Sequence, residues 1–140
     1  MREERSYGFI IVHKAGEEYR YLLVRQLTHW SFPKGHTENN ERPIETAKRE
    51  LFEECGISSF SLVEGIQFVE EYVFLRDGIE TKKTNTFFVA TVANEEIFPQ
   101  PIEILECKFV EYNTALLMLT YEGQRDILEK AHNEIVKYEI

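Results

Sequence analysis

A chain of 140 residues, 43% hydrophobic and 13% aromatic, can bury one core and leaves little room for a second domain. Its formal charge of −9, from 16 Lys and Arg against 25 Asp and Glu, excludes a protein that grips long nucleic acid by bulk electrostatics. The start MREERSYGF has no apolar run like a signal peptide, and no stretch approaches a membrane span. The two cysteines, Cys55 and Cys107, form no C-x-x-C pair. A reduced, cytoplasmic location without membrane contact is therefore expected, with a monomer favoured. An anionic ligand on so acidic a protein requires local relief, from clustered lysines or from bound cations.

Along the chain, Tyr7 to His13 reads as a strand buried on both faces. Ala15–Gly16 makes a turn, and Tyr19 to Gln26 is the antiparallel partner. His29 to Asn40 reads as loop, broken by Pro33 and Gly35. A helix follows from Pro43 to Cys55: proline suits the first turn, Glu45 the positive end of the dipole, and Gly56 stops it. Strands are predicted at Val69 to Leu75, Thr84 to Val92 and Glu106 to Tyr112, with a hairpin turn at Asp77–Gly78. A last helix, Tyr121 to Tyr138, carries Ile127, Leu128, Ala131 and Ile135 at helical spacing. Unequally spaced strands with two helices predict an α/β sandwich with a mixed central sheet.

On the first helix Glu50, Glu53 and Glu54 fall at about 0°, 300° and 40°, one face of a turn. Ile44, Ala47, Leu51 and Cys55 form a neighbouring apolar face that can pack on the sheet. Three carboxylates within a turn raise one another's pKa unless something positive lies between them. A hard divalent cation is the usual solution, and magnesium the usual ion beside phosphates. Taken alone, however, such a run is more often a solvated helix face.

The wider spacing changes that balance. From Gly35 the chain reads Gly, five residues, Glu41, seven residues, Arg49-Glu50-Leu51, one residue, Glu53-Glu54, one residue, Gly56-Ile57. This resembles the Nudix box, the signature of hydrolases acting on a nucleoside diphosphate linked to another moiety. Seven fixed identities coincide by chance with a probability on the order of 10⁻⁸ per start position. Asn40 stands where relatives often carry Gly, and Asn tolerates the left-handed conformation better than most residues. The flank His29-Trp30-Ser31-Phe32-Pro33-Lys34-Gly35-His36 resembles the W-x-x-P-K-G-H run of asymmetrical diadenosine tetraphosphate (Ap4A) hydrolases. Glu45-Thr46-Ala47, Val63-Glu64-Gly65, Tyr72, Lys83-Thr84 and Phe87-Phe88-Val89-Ala90 agree with the same group.

The resemblance implies one Nudix hydrolase domain over residues 1–140, an α/β/α sandwich. It also implies magnesium-dependent hydrolysis of Ap4A to ATP and AMP by metal-activated water, with manganese as the alternative ion. The implied metal set is Gly35, through a main-chain carbonyl, with Glu50, Glu53, Glu54 and Glu103. The implied catalytic set is Glu50, Glu54, Glu103 and Arg49, the last holding a glutamate in place. Glu41 supports the loop–helix junction. Glu103 is preferred to Glu106 as the extra ligand or proton acceptor, although Ile104 replaces the His that usually follows and Phe109 a Trp. Lys34, His36 and Lys83 are expected to bind the phosphates, with Lys82 as a further candidate. Tyr72 and Tyr121 would stack on adenine; each can also be core. His13 and His132 read as structural, and Trp30 as core or a pocket wall. Two alternatives keep the fold: a pyrophosphohydrolase of a diphosphoinositol polyphosphate or an RNA 5′ end, and a nucleotide-binding Nudix module without catalysis. The second usually loses box glutamates, all of which are present here.

Overall fold

Phe9, Ile10, Ile11 and Val12 are buried alternately in two separate cores, as a strand covered on both faces requires. The computed structural model describes residues 1–99, 104 and 106–140. Its first strand, β1 (Arg2–Ala15), turns through Gly16 into β2 (Glu18–Gln26), antiparallel with Val12 opposite Tyr21. Two short strands follow, β3 (His29–Ser31) and β4 (Lys34–His36), then α1 (Pro43–Cys55), β5 (Ser61–Arg76) and β6 (Ile79–Thr91). β7 (Glu106–Glu111), α2 (Tyr112–Met118) and α3 (Glu122–Lys137) complete the chain. The sheet runs β3-β2-β1-β6-β5, with β4 added to β1 and β7 to β2. Only the β1–β6 pairing is parallel among the described strands, so the sheet is mixed as expected.

Ala47, Leu51 and Cys55 of α1 pack with Phe9, Ile11, Leu22 and Val24 on one face. Ile127, Leu128, Ala131 and Ile135 of α3 pack with Ile10, Val12, Tyr21 and Phe87 on the other. The α/β/α layering is that of the sequence reading, and α1 has the bounds the capping signals set. The Arg42 N–H donates to Glu45 at 2.9 Å, and Gly56 ends the helix in the left-handed region at φ 70°. Cys55 and Cys107 remain thiols whose sulfurs touch at 3.0 Å, joining α1 to β7. Among the described residues no helix is long and apolar enough to cross a membrane.

Several parts differ from the sequence reading: β1 begins at Arg2 rather than Tyr7 and β6 at Ile79 rather than Thr84, and three further differences are larger. The stretch from His29 to Asn40 is not all loop: β3 pairs β2 and β4 pairs β1, with buried Phe32 between them. Strands of three residues are too short to display a period, and these exist because longer neighbours supply the hydrogen bonds. β5 begins eight residues earlier than predicted, at Ser61 rather than Val69. A register shift between Val63 and Gln67, with Gly65 at φ 83°, breaks its alternation there. The short α2 was not predicted; the Glu111 side chain caps it by accepting from the Asn113 and Thr114 N–H groups.

Leu51 is fully buried between α1 and the sheet. Leu51→Ala is expected to lower stability to denaturant by about 2–5 kcal/mol, the cost of a core cavity. A loss below about 1 kcal/mol in a urea titration would mean that α1 is not docked in this way.

Candidate active site

Docking the apolar face of α1 turns Glu50 and Glu54 toward the edge where β4 joins β1. Gly35, paired with Tyr7 of β1, lies directly against Glu50: a Cβ built there would overlap the carboxylate. Only glycine permits this approach. One residue earlier, the Lys34 N–H donates to the Glu54 carboxylate at 3.2 Å. The loop and the helix are thus in contact through two acids and two main-chain units.

Arg49 organises the rest. Its Nε donates to Glu41 at 2.7 Å and its Nη2 to the same carboxylate at 3.1 Å, a bidentate pair. Nη1 donates to Glu50 at 2.9 Å and to Glu53 at 3.1 Å, while Nη2 also reaches the His36 carbonyl at 2.8 Å. One guanidinium therefore ties three glutamates to the loop. Glu41 further accepts from the Glu38 N–H and the Thr46 hydroxyl, and these bonds, Arg49 first, hold its pKa down at about 2. It supports the loop–helix junction, as read from the sequence. Asn39 and Asn40 both take left-handed backbone, at φ 50° and 60°, so the turn survives without glycine.

Glu50 and Glu54 are out of balance electrostatically. Glu54 is only 6% exposed, and burial, then the neighbouring charge of Glu50, raises its pKa to about 9. Burial is also the first cause of the upward shift of Glu50, with Arg49 opposing it. Desolvation rather than mutual repulsion is thus the leading effect, which the sequence argument had the other way round. Glu53, more than half exposed, only completes the Arg49 cluster. Among the described residues no three acidic, imidazole or thiol side chains already converge as a cage. Glu50 and Glu53 both accept from Arg49 instead. The donor chemistry fits a hard divalent ion, because two desolvated carboxylates, only one of them bonded by a guanidinium, lie beside an unobstructed main chain.

Around the corner of β4 opens a pocket of about 740 Å³. Lys34, His36 and Lys83 line it together with Tyr72, Tyr121 and His29, and Tyr72 stands directly opposite Lys83. Lys83 is almost buried, donates to the Ser6 hydroxyl at 2.7 Å and lies 3.4 Å from His36 Nε2. Burial, then the positive charge of Lys34, lowers its pKa to about 8. Burial also lowers Lys34 and His36. Tyr72 and Tyr121 are each about half exposed, at 47% and 50%, which places both on the pocket wall rather than in the core.

The structure thus brings Gly35, Arg49, Glu50, Glu53 and Glu54 together, and separately gathers Lys34, His36, Lys83, Tyr72 and Tyr121. Glu103 lies outside the described residues. Glu106 faces Arg25 at 3.6 Å and Lys108 at 3.9 Å. Lys82 points the other way along β6, toward Glu71 at 3.6 Å. His13 bonds Glu95, and His132 bonds Tyr21 and stacks on Tyr112, both structural as predicted. Trp30 packs at the edge of the α3-side core. Glu70, Asn85 and Gln124, which form one hydrogen-bonded group at the pocket, were missed. The available signal was alternation: Asn85 shares a strand face with Lys83, and Glu70 with Tyr72.

A model of the NUDIX domain matches residues 4–131 of this chain. The asymmetrical bis(5′-nucleosyl)-tetraphosphatase of Sus scrofa is 35% identical over 118 residues, covering 80% of this chain and 78% of that protein. The putative mutator protein MutT4 of Mycobacterium tuberculosis is 32% identical over 77% of this chain and 43% of its own length. An RNA pyrophosphohydrolase of Bartonella henselae is 33% identical over 50% of this chain and 45% of its own. The chain therefore spans less than half the length of these last two relatives. Among solved structures, a C. elegans Ap4A hydrolase binary complex superposes with a TM-score of 0.85, covering 96% of this chain and 98% of that one at 22% identity, a likeness of fold. With the family model spanning most of the chain and the box residues assembled at one edge of the sheet, the chain belongs to the Nudix family of hydrolases.

Proposed function

We propose that this protein is an asymmetrical dinucleoside tetraphosphatase that cleaves Ap4A to ATP and AMP, the whole of residues 1–140 acting as one domain. The observation that carries the reading is the adjacency of two unlike sites. Desolvated Glu50 and Glu54 lie at one side of β4, and a pocket lined by both lysines and tyrosines lies on the other side. A dinucleoside polyphosphate has the matching parts: a highly anionic bridge with a flat base at each end. The 35% identity to the Sus scrofa enzyme over 78% of its length supports the same substrate class. The RNA pyrophosphohydrolase match covers half of this chain, and a net charge of −9 disfavours a long RNA.

The roles then divide by chemistry. Glu50 and Glu54, with the main chain at Gly35 and with Glu53 released from Arg49, hold the divalent cation, magnesium by preference and manganese as the alternative. When bound, that ion supplies positive charge to the phosphate oxygens and lowers the pKa of coordinated water. Arg49 fixes the Glu50 rotamer, so the carboxylate need not be reordered when ligand arrives. Lys34 and Lys83 neutralise the phosphate bridge, and His36, held beside Lys83, donates to it. Glu54 or Glu50 accepts the proton of the attacking water, with Glu103 the further candidate on sequence grounds. Tyr72 and Tyr121 stack on adenine.

Purified protein with Mg²⁺ is expected to convert Ap4A to equimolar ATP and AMP on an ion-exchange column. Two ADP per substrate, or preferential release of phosphate from triphosphorylated RNA, would refute the assignment.

Glu54→Gln separates charge from shape, since the amide oxygen can still accept the Lys34 N–H. The folded pKa of Glu54 lies above its ordinary 4.5, so ionisation opposes folding, and stability is lost as pH rises from about 4.5 toward about 9. Without divalent ions E54Q should therefore be more stable than the parent, by roughly 2–3 kcal/mol at pH 7. Its turnover with Mg²⁺ should nonetheless fall by a factor on the order of 10³. Equal stability in EDTA across pH 5–9, or equal turnover, would remove Glu54 from the site.

A further inference from the structure

The pocket contains one group that its phosphate-binding lysines do not explain. Glu70 Oε1 accepts from Asn85 Nδ2 at 2.8 Å and from Gln124 Nε2 at 3.3 Å. Asn85 and Gln124 are each 1% exposed, and Gln124 is itself fixed by the Phe32 N–H at 3.3 Å. Gly123 presses on the second carboxylate oxygen, where a Cβ would overlap Oε2. Asn85 Oδ1 is buried and, among the described residues, has no hydrogen-bond partner. Flipping the amide would not cure this, because it would set the oxygen against the Glu70 carboxylate.

A fixed acid is adverse in a pocket for polyanions unless it meets hydrogen-bond donors. Glu70 lines the pocket and carries no donor, so the side chain presents acceptors alone. Strand register gives its neighbours. Tyr72 is opposite Lys83, and Glu70, two residues earlier on the same face, is opposite Asn85. Asn85 is in turn opposite Ser6, and Ser6 opposite His36. The Glu70 charge also acts on Lys34, Lys83 and Tyr72. The acid thus sits roughly 7 Å along the strand from the level that Tyr72 shares with Lys83, at the level of His36, with Lys34 one step further on. A nucleotide stacked on Tyr72 offers two sets of donors, the ribose hydroxyls next to the phosphate chain and the adenine amino group at the far end of the ring; the first lies nearer an acid set among the phosphate lysines.

Resting on the reading of this pocket as a nucleotide site, we propose that Glu70, positioned by Asn85, Gln124 and Gly123, accepts hydrogen bonds from the ribose hydroxyls of the bound nucleoside. It thereby selects ribonucleotides over deoxyribonucleotides. Gln124 and Asn85 act through Glu70 and hold its carboxylate in register.

The test compares ligands that differ by one hydroxyl. Wild type is titrated calorimetrically with ATP, 2′-deoxy-ATP, 3′-deoxy-ATP and inosine triphosphate, and assayed with Ap4A and its bis-deoxy counterpart. Removing a hydroxyl bonded to a carboxylate should weaken binding by about ten- to a hundredfold, with the same order of preference in kcat/KM. In Glu70→Ala that preference should shrink to within about threefold of unity. Where E70A folds poorly by circular dichroism, Glu70→Gln, which keeps the Oε1 contacts, should still cut the preference at least about threefold. Equal binding of ribo and deoxy ligands by wild type, or an unchanged preference in a folded variant, would overturn the proposal. So would a variant that loses discrimination only between adenine and hypoxanthine, because Glu70 would then read the base. If Ap4A is not hydrolysed at all, the proposed activity fails, while the ATP titrations still decide the role of Glu70.

Discussion

The site depends on burying two neighbouring carboxylates of which only Glu50 is bonded by a guanidinium. Glu54 is almost wholly enclosed and held up at a pKa of about 9, and Glu50 is pressed against the backbone at Gly35. An acidic protein could have placed these side chains in water at no cost. Their burial disfavours the ion-free folded state at neutral pH, and the family-wide use of a divalent cation gives that cost a purpose. The same arrangement accounts for Arg49. It bonds Glu50 and Glu53 through one nitrogen while its bidentate pair fixes Glu41.

The sheet divides the labour between its two faces. α1 lies on one face and delivers the box glutamates to the β4 edge, while the residues of β5 and β6 that alternate toward α3 form the pocket. β4 is the partition: Gly35 faces Glu50, while its neighbours Lys34 and His36 face the pocket. A strand of three residues serves because its period of two sends neighbouring side chains to opposite sides. Burial lowers the pKa of both lysines, and the charge of Lys34 lowers that of Lys83 further.

Much of this was legible in the sequence, and the reasons are particular. The bounds of α1 could be read because Pro43, Glu45 and Gly56 each act locally on the backbone. The tolerance of Asn40 for left-handed backbone could be read for the same reason, whereas Arg49 was expected to hold a glutamate without Glu41 being named as its bidentate partner. Lys83, Tyr72 and Tyr121 were found by resemblance, and the structure gathers them in one pocket. What escaped was non-local. β3 and β4 exist only through pairing with longer strands, and the Glu70–Asn85–Gln124 group joins positions up to 54 residues apart. The order of causes at Glu54 also escaped, because spacing reveals neighbouring charges and not the depth at which they are buried.

The central claim, that Glu50 and Glu54 are buried to receive a divalent cation, is tested most directly by Mg²⁺ titration calorimetry on the parent and E54Q. Runs in two buffers of different ionisation enthalpy count the protons released. The account predicts that Mg²⁺ binds the parent at pH 7 with release of roughly one proton, and binds E54Q much more weakly with little release. Equal affinity and equal proton release in the two proteins would place the metal elsewhere and contradict it.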